Sequence, residues 1–353
     1  MFYESIIWFN LSCVKLFCEQ EESEMKRRTL EQQHRTLPIR GVFRISRGSK
    51  TVAESIVVSI REGDAVGSGE CVPYGRYGET IESVAAQIES ARPAIEEGID
   101  LRTLQQLLPP GSARNAIDCA LWDLRSRMSG HTVAAFAGLA APLRPVLTAF
   151  TLSLGEPREM AEKALEFAHY PLLKLKLGGD GDLERVLAVR EAAPRARLMA
   201  DANESWQPRH LDAFLPEFAR LGLELLEQPL PAGADEALLG YASPVPLAAD
   251  ESCRDLRSVD DIRRKYAFAN IKLDKTGGLT EGLALADAAR AAGLKIMVGC
   301  MVASSLSMAP GIVLAQAAEV VHLDGPLLLA RDHDPALRYE GAILYPDANV
   351  WST

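Results

Sequence analysis

Six cysteines (Cys13, Cys18, Cys71, Cys119, Cys253 and Cys300) are scattered through 353 residues with no CxxC pair and no cysteine-histidine pairing. That spacing excludes a disulfide framework and a zinc cluster, and it suits the reduced thiols of a cytoplasmic protein. An excess of positive charge is missing too. The 38 Lys and Arg face 48 Asp and Glu, a formal net charge of −10, which argues against nucleic acid or an anionic membrane as partner. The stretch from Phe2 to Phe17 is apolar but lacks the basic flank of an export signal. It is interrupted by Glu4, Asn10 and Lys15 and runs into Glu19, Glu21, Glu22 and Glu24. Residues 1 to 24 therefore read as a dispensable extension ahead of Met25. Gly178-Gly179 has no Gly-Lys-Ser/Thr after it, which excludes a phosphate loop and leaves a flexible turn.

What the chain does have is a series of short apolar runs, most ending in a polar residue. Val146 to Leu154 is followed by Leu172 to Lys176, Ala196 to Asp201, Leu223 to Glu227, Val245 to Asp250, Phe268 to Lys272, Lys295 to Gly299 and Glu319 to Asp324. From the second run on they recur about every 25 residues, with helix-forming sequence between them, which is the pattern of parallel strands with crossover helices. Helices are predicted over Asp182 to Ala192, Pro208 to Leu221 and Thr280 to Ala292, with Pro216 expected to kink or split the second. Eight such strands close into an α/β barrel whose chemistry sits at the C-terminal ends of the strands. After Asp324 no eighth helix of normal length is visible.

Ahead of the barrel the pattern changes. Glu54 to Ile60 is β-rich, Arg44 to Gly48 reads as loop, Gly67-Ser68-Gly69 as a turn, and Ile81 to Glu97 and Ser112 to Met128 carry helical spacing. The expected organisation is an extension over 1–36, an α+β capping domain over 37–142, a modified barrel over 143–330, and a C-terminal segment over 331–353 that returns to the cap.

Asp201, Glu227 and Asp250 end three successive predicted strands, so a barrel brings three carboxylates to one point. Uncompensated they would repel, and an all-oxygen set of this kind suits a hard divalent ion, Mg²⁺ by default, one per chain. Lys174 and Lys176 share one side of the second strand, because side chains alternate along a strand, and Lys272 ends the sixth. Two lysines facing each other across a bound substrate can act on opposite faces of one carbon. Lys174 and the metal would lower the pKa of Lys176.

Lys174-Leu-Lys176, Asp201-Ala-Asn203, Glu227-Gln-Pro229, Asp250-Glu251-Ser252 and Asn270-Ile-Lys272 with Gly277-Gly278 resemble, in order and spacing, the enolase superfamily in its muconate lactonizing branch. The resemblance covers about residues 37 to 345 and implies a capping α+β domain on a (β/α)7β-like barrel. It implies Asp201, Glu227 and Asp250 as metal ligands, Asn203 and Glu251 as hydrogen-bond partners behind the metal or the lysines, and Lys176 and Lys272 as the acid-base pair. Lys176 would remove the proton α to a carboxylate and Lys272 would return one to the other face, with Mg²⁺ stabilising the enediolate. Within the branch, dipeptide epimerases carry Asp-x-Asp at the end of strand eight to hold a substrate ammonium. Here His322-Leu323-Asp324 stands in its place, with Asp324 retained. Arg47 and Arg76, in two loops resembling those that close over the barrel mouth, are placed to meet a substrate carboxylate, and Tyr74 and Tyr77 to pack the lid.

Cys300 and Met301, after strand seven, are expected to line the substrate site, and no histidine there supports acid-sugar dehydration. The implied partner is a small dipeptide of the L-Ala-D/L-Glu kind. The resemblance leaves room for a homo-oligomer and for two other readings, a lyase or cycloisomerase of the o-succinylbenzoate synthase or muconate type and a non-catalytic metal-binding barrel. Asp324 weighs against the former, whose substrates carry no ammonium, and the complete set of lysines and carboxylates against the latter.

Overall fold

The computed structural model describes residues 27–352, so the expectation for residues 1–24 lies outside the described residues. Three antiparallel strands open the chain: β1 (Thr29–Ile45), β2 (Gly48–Glu62) and β3 (Ala65–Cys71). The first strand begins well before residue 37, so the boundary expected there falls inside it. Arg44 to Gly48 is no open loop: β1 pairs with β2 up to Ile45 opposite Gly48, and only Ser46 and Arg47 form the hairpin tip.

Alternate residues of β2, Ile56, Val58 and Ile60, are buried against Val84, Ile88 and Ile95 of the helix Ile81–Glu96 and against Ala116, Ile117 and Ala120 of the helix Ser112–Ser129. Gly67 and Gly69 are likewise not a turn. They lie within β3, and a Cβ on them would sit 2.1 Å and 2.2 Å from the carbonyl oxygens of Ala120 and Ala116, so their missing side chains let that helix press onto the strand. The actual turn is Gly63-Asp64.

After β4 (Val146–Leu147), eight parallel strands form one sheet in sequence order: β5 (Phe150–Leu152), β6 (Leu172–Lys176), β7 (Arg197–Asp201), β8 (Leu223–Glu227), β9 (Leu247–Ala249), β10 (Phe268–Ile271), β11 (Lys295–Val298) and β12 (Val320–Val321). Ala149 N donates to Val321 O at 3.0 Å, which brings the last strand back to the first and curls the sheet into a barrel. The period of two sorts each strand's side chains. Leu173, Leu175, Leu198, Ala200 and Leu226 pack outward among the helices, while Leu172, Met199, Leu225, Ala248, Phe268 and Met297 fill the inside as an apolar layer. One and two steps further along the same inward rows come Lys174, Lys176, Asp201, Glu227 and Asp250. A packed floor thus carries a charged ceiling.

The helix Pro208–Arg220 runs on through Pro216 without a break, because that residue lies on the exposed side and the carbonyl it cannot reach belongs to exposed Asp212. Gly178-Gly179 is pinned rather than loose, since both amides donate to Asp182, at 2.8 to 3.2 Å. Only a short 3-10 turn, Gly325–Leu328, follows β12. The chain then forms the hairpin β13 (Tyr339–Glu340) and β14 (Ile343–Leu344) against β4, and Trp351 Nε1 and Ser352 N bond to Ser68 O and Asp123 of the cap, both at 3.0 Å. Among the described residues no helix is long and apolar enough to cross a membrane.

Candidate active site

Between the cap hairpin and the barrel mouth lies a cavity of about 390 Å³. Lys174, Lys176, Lys272, Asn203, His322 and Asp324 line its barrel side, and Arg47, Lys50, Tyr74 and Arg76 its cap side. Cys300 and Met301 line it as well.

Asp201, Glu227 and Asp250 present carboxylate oxygens that all lie within 4.8 Å of one another, fully out of solvent. Three lysines reach into the cluster. Lys176 Nζ is 2.6 Å from Asp201, Lys272 Nζ is 2.6 Å from Asp250 and 3.9 Å from Glu227, and Lys174 Nζ is 2.5 Å from Glu227 and 3.2 Å from Asp201. Burial alone would lower the Lys174 and Lys272 ammoniums, but the carboxylates outweigh it and raise both, Lys174 through Glu227 and Asp201, Lys272 first through Asp250. Burial pushes Asp201 and Asp250 up, and their lysines more than reverse it, leaving both depressed. Glu227 stays raised, by burial and by the neighbouring Asp201. Its Oε2 is paired with the Lys174 ammonium, and with Asp201 and Asp250 it completes a buried all-oxygen set. That donor set fits one hard divalent cation, with its remaining positions open to substrate oxygens.

The strand ends are held by residues the sequence reading did not assign to the site. Asn270 Nδ2 donates to Glu227 Oε1 at 2.8 Å. Lys275 Nζ donates to Asp250 Oδ1 at 2.6 Å, to Asp250 O at 2.5 Å and to Asn270 O at 2.9 Å. Its signal was its position three residues after Lys272, one helical turn on in the short helix Leu273–Thr276. Gln228 accepts from Asp250 N and Ser252 N, at 2.9 and 3.0 Å, fixing the end of β9.

Of the two residues expected behind the metal or the lysines, Asn203 touches Lys176, whereas the bond of Glu251 runs to Arg47 of the cap. Asn203 Oδ1 accepts from Lys176 at 3.2 Å, and Glu251 is pushed up to about 7 by burial and by Asp250 and Asp201. Asn203, Glu204 and Gln228 have φ of 44°, 66° and 33°, a left-handed strain unusual for residues with a Cβ. The strain turns Asn203 O toward the cap, where it accepts from Ser46 Oγ at 3.0 Å and from Arg47 at 2.8 Å.

Arg47 and Arg76 do not stand free for a substrate carboxylate. Arg47 bonds Glu251 at 2.7 Å, Glu204 at 3.1 Å and Tyr74 OH at 2.5 Å, while Arg76 grips both oxygens of Glu204 at 2.8 Å. Glu204, missed in the sequence, is what commits them, and together they latch the cap hairpin to the barrel. Tyr74 and Tyr77 meet edge to face at 5.4 Å within this latch. Among the described residues, Lys50 is the cavity cation left without a carboxylate. Its one close partner is the Phe43 ring, 5.9 Å away, and desolvation together with repulsion from Lys176 holds its ammonium below the ordinary value.

His322 is satisfied by side chains rather than by backbone. Nε2 lies 2.7 Å from Thr151 Oγ1 and 2.9 Å from Asp324 Oδ1, and Nδ1 lies 3.2 Å from Lys174 Nζ. Asp324 Oδ2 accepts from Thr151 N at 2.7 Å. Burial draws His322 down to about 4, against the pull of Asp324, so the ring is neutral near pH 7.

Residues 156–347 match the family model described as enolase C-terminal domain-like, and residues 27–138 match the N-terminal domain of mandelate racemase/muconate lactonizing enzyme. The chain belongs to the enolase superfamily. It is 45% identical over 314 residues to the L-Ala-D/L-Glu epimerase of Escherichia coli K12, covering 88% of this chain and 98% of that one. It is 41% identical over 293 residues to the N-acetyl-D-glutamate racemase of a Pseudoalteromonas species, covering 82% and 92%. A crystal structure of an enolase family member from Agrobacterium tumefaciens with homology to dipeptide epimerases, which holds sodium and L-Ala-L-Glu, superposes with a TM-score of 0.90 at 47% identity, covering 92% of this chain and 99% of that one. This superfamily member is an isomerase.

Proposed function

We propose that the enzyme inverts the α-carbon of an N-acylated acidic amino acid, the class that includes the L-Ala-D/L-Glu dipeptides, one of Lys176 and Lys272 taking the α-proton from one face while the other returns a proton to the opposite face. The observation that carries this reading is the placement of the two ammonium groups, one at the end of β6 and one just past β10, both lining one cavity and flanking the carboxylate cluster. An α-carbon held between them meets a base on one face and an acid on the other. Lys272 is held protonated by Asp250 and serves as the acid when Lys176 is the base, and the roles exchange for the opposite epimer.

Asp201, Glu227 and Asp250 are the residues that would hold a divalent ion, Mg²⁺ by the hardness of the donor set. Such an ion supplies the positive charge that a carboxylate needs when its α-carbon becomes a carbanion. The chain's own contribution is orientation. Lys174 and Asn270 fix Glu227, Lys275 fixes Asp250, and the latch of Arg47 and Arg76 on Glu204 closes the cap over the site and excludes water.

Lys50, not Arg47, is the cation available to a substrate side-chain carboxylate, which favours a glutamate-like substrate. The Escherichia coli and Pseudoalteromonas relatives share glutamate in their names and differ in what is joined to its nitrogen, alanyl in the former and acetyl in the latter. Incubation of L-Ala-L-Glu, L-Ala-D-Glu and N-acetylglutamate in D₂O, followed by proton NMR, tests the proposal. Loss of the glutamyl α-proton signal together with appearance of the other epimer or enantiomer is expected. Absence of exchange in all three would refute it.

A further inference from the structure

We propose that the acyl group on the substrate nitrogen is an uncharged cap of the acetyl kind rather than an aminoacyl group carrying an ammonium, and that His322 sets this preference. The inference rests on the two-lysine reading above. With the substrate carboxylate at Asp201, Glu227 and Asp250, the α-carbon between Lys176 and Lys272, and the side chain directed to Lys50, one part of the cavity remains for the nitrogen substituent. It lies at the ends of β5, β11 and β12 and is walled by Thr151, Cys300, Met301, His322 and Asp324.

An ammonium in that corner would need an acceptor oxygen with capacity to spare and a net negative surrounding. Asp324 is the carboxylate lining the cavity among the described residues, and both of its oxygens are already engaged, Oδ2 by Thr151 N at 2.7 Å and Oδ1 by His322 Nε2 at 2.9 Å. Hydrogen-bond logic fixes the ring. The Lys174 ammonium can only donate, so Nδ1, 3.2 Å from it, must accept, and the hydrogen therefore sits on Nε2 and points at Asp324. A neutral histidine thus replaces what would be a second anion, and behind it stands a fully buried cation, Lys174, that repels any further positive charge. An ammonium placed here would have to share the Asp324 oxygens with Thr151 N and His322, and would meet one anion with the Lys174 cation behind it rather than a pair of anions.

An amide or acetyl group meets no such conflict. Its carbonyl oxygen can accept from the Thr151 hydroxyl or from the Cys300 thiol, which burial keeps protonated by raising it to about 12. Its methyl meets Met301, Val302 and Leu328 along the same wall.

The test compares kcat/KM for N-acetyl-L-glutamate and N-acetyl-D-glutamate with that for L-Ala-L-Glu and L-Ala-D-Glu, using wild-type enzyme and His322→Asp, read by α-proton exchange and by change in optical rotation. Wild type is expected to favour the acetylated substrates by tenfold or more, mainly through KM. His322→Asp, which restores a second carboxylate at the corner, should shift the ratio at least tenfold toward the dipeptides. Wild-type turnover of L-Ala-Glu as efficient as that of N-acetylglutamate would overturn the inference while leaving the two-lysine reaction intact. A folded His322→Asp enzyme with the wild-type ratio would remove His322 as the determinant, and failure of all four compounds to exchange would overturn both readings together.

Discussion

Lys176 and Lys272 differ from ordinary strand-end lysines in what they touch. Each sits 2.6 Å from a buried carboxylate, so neither is free to swing into solvent, and each addresses the cavity from its own side. Lys176→Ala and Lys272→Ala should each reduce inversion by about 10² to 10⁴ or more, because a proton must be handled on both faces. Each variant should still exchange the α-proton of the one epimer that faces its surviving lysine, and NMR in D₂O with single epimers separates the two. Inversion at wild-type rate by either variant would show that the lysine is not one of the bases. Lys50→Ala should cost about 10- to 100-fold in kcat/KM for glutamyl substrates and far less for substrates with a neutral side chain, the range of a lost charge-assisted pair. An equal loss on both would mean that Lys50 supports the hairpin instead. At this scale the carboxylates and lysines were legible because strand periodicity puts them on one inner face. Arg47 was misleading: its partners Glu204 and Glu251 are distant in sequence, and nothing local reveals that a guanidinium is already spent on them.

The elements of the barrel were legible for the same reason that the site was. An apolar run with period two, a polar end and a helix behind it admits few arrangements, and each of the eight runs supplied a strand of one sheet, although the front of the first, Val146–Leu147, pairs with the C-terminal hairpin instead. The cap was less readable, because glycine has two opposite uses. Gly67 and Gly69 looked like a turn pair, yet they serve a close approach of helix to strand whose partner, Ser112–Ser129, lies more than forty residues on. A methyl at residue 69 would meet Ala116 O at 2.2 Å, a backbone atom that cannot rotate away. Gly69→Ala should therefore lower stability by about 3 kcal/mol or more, at the upper end of overpacking costs, measured as a drop in denaturant midpoint. Gly75→Ala, where a Cβ meets nothing within 4 Å, is the control and should change the midpoint little. Equal effects at the two positions would show that the helix can move off the strand at low cost.

Across the whole molecule, buried charge must be balanced either by partners or by protonation, and the site and the cap-barrel seam solve this differently. In the site, lysines balance the carboxylates, and the carboxylate triad could hold a metal cation as well. Mg²⁺ at a hundred times its dissociation constant should therefore raise unfolding stability by about 2.7 kcal/mol, and Glu227→Gln should weaken that gain; a wild-type melting temperature indifferent to Mg²⁺ would exclude the site.

In the seam, no cation among the described residues neutralises Asp274. Its Oδ1 accepts from Val72 N and Asn115 Nδ2, both at 2.9 Å, but burial outweighs these bonds and, with help from Glu79 and Glu70, pushes it up to about 7. In an unfolded chain the group titrates near 3.9. Between those values the folded protein binds the extra proton, so this residue's contribution to stability is fully present below about pH 4, declines as pH rises, and is lost above about 7. Asparagine keeps the Oδ1 acceptor and never ionises. Asp274→Asn should melt close to wild type at pH 5 and a few degrees above it at pH 8, with the gap opening between. A variant that is less stable than wild type at pH 8 would show that the carboxylate is ionised and needed there, and that the seam holds its charge by a partner rather than by a proton.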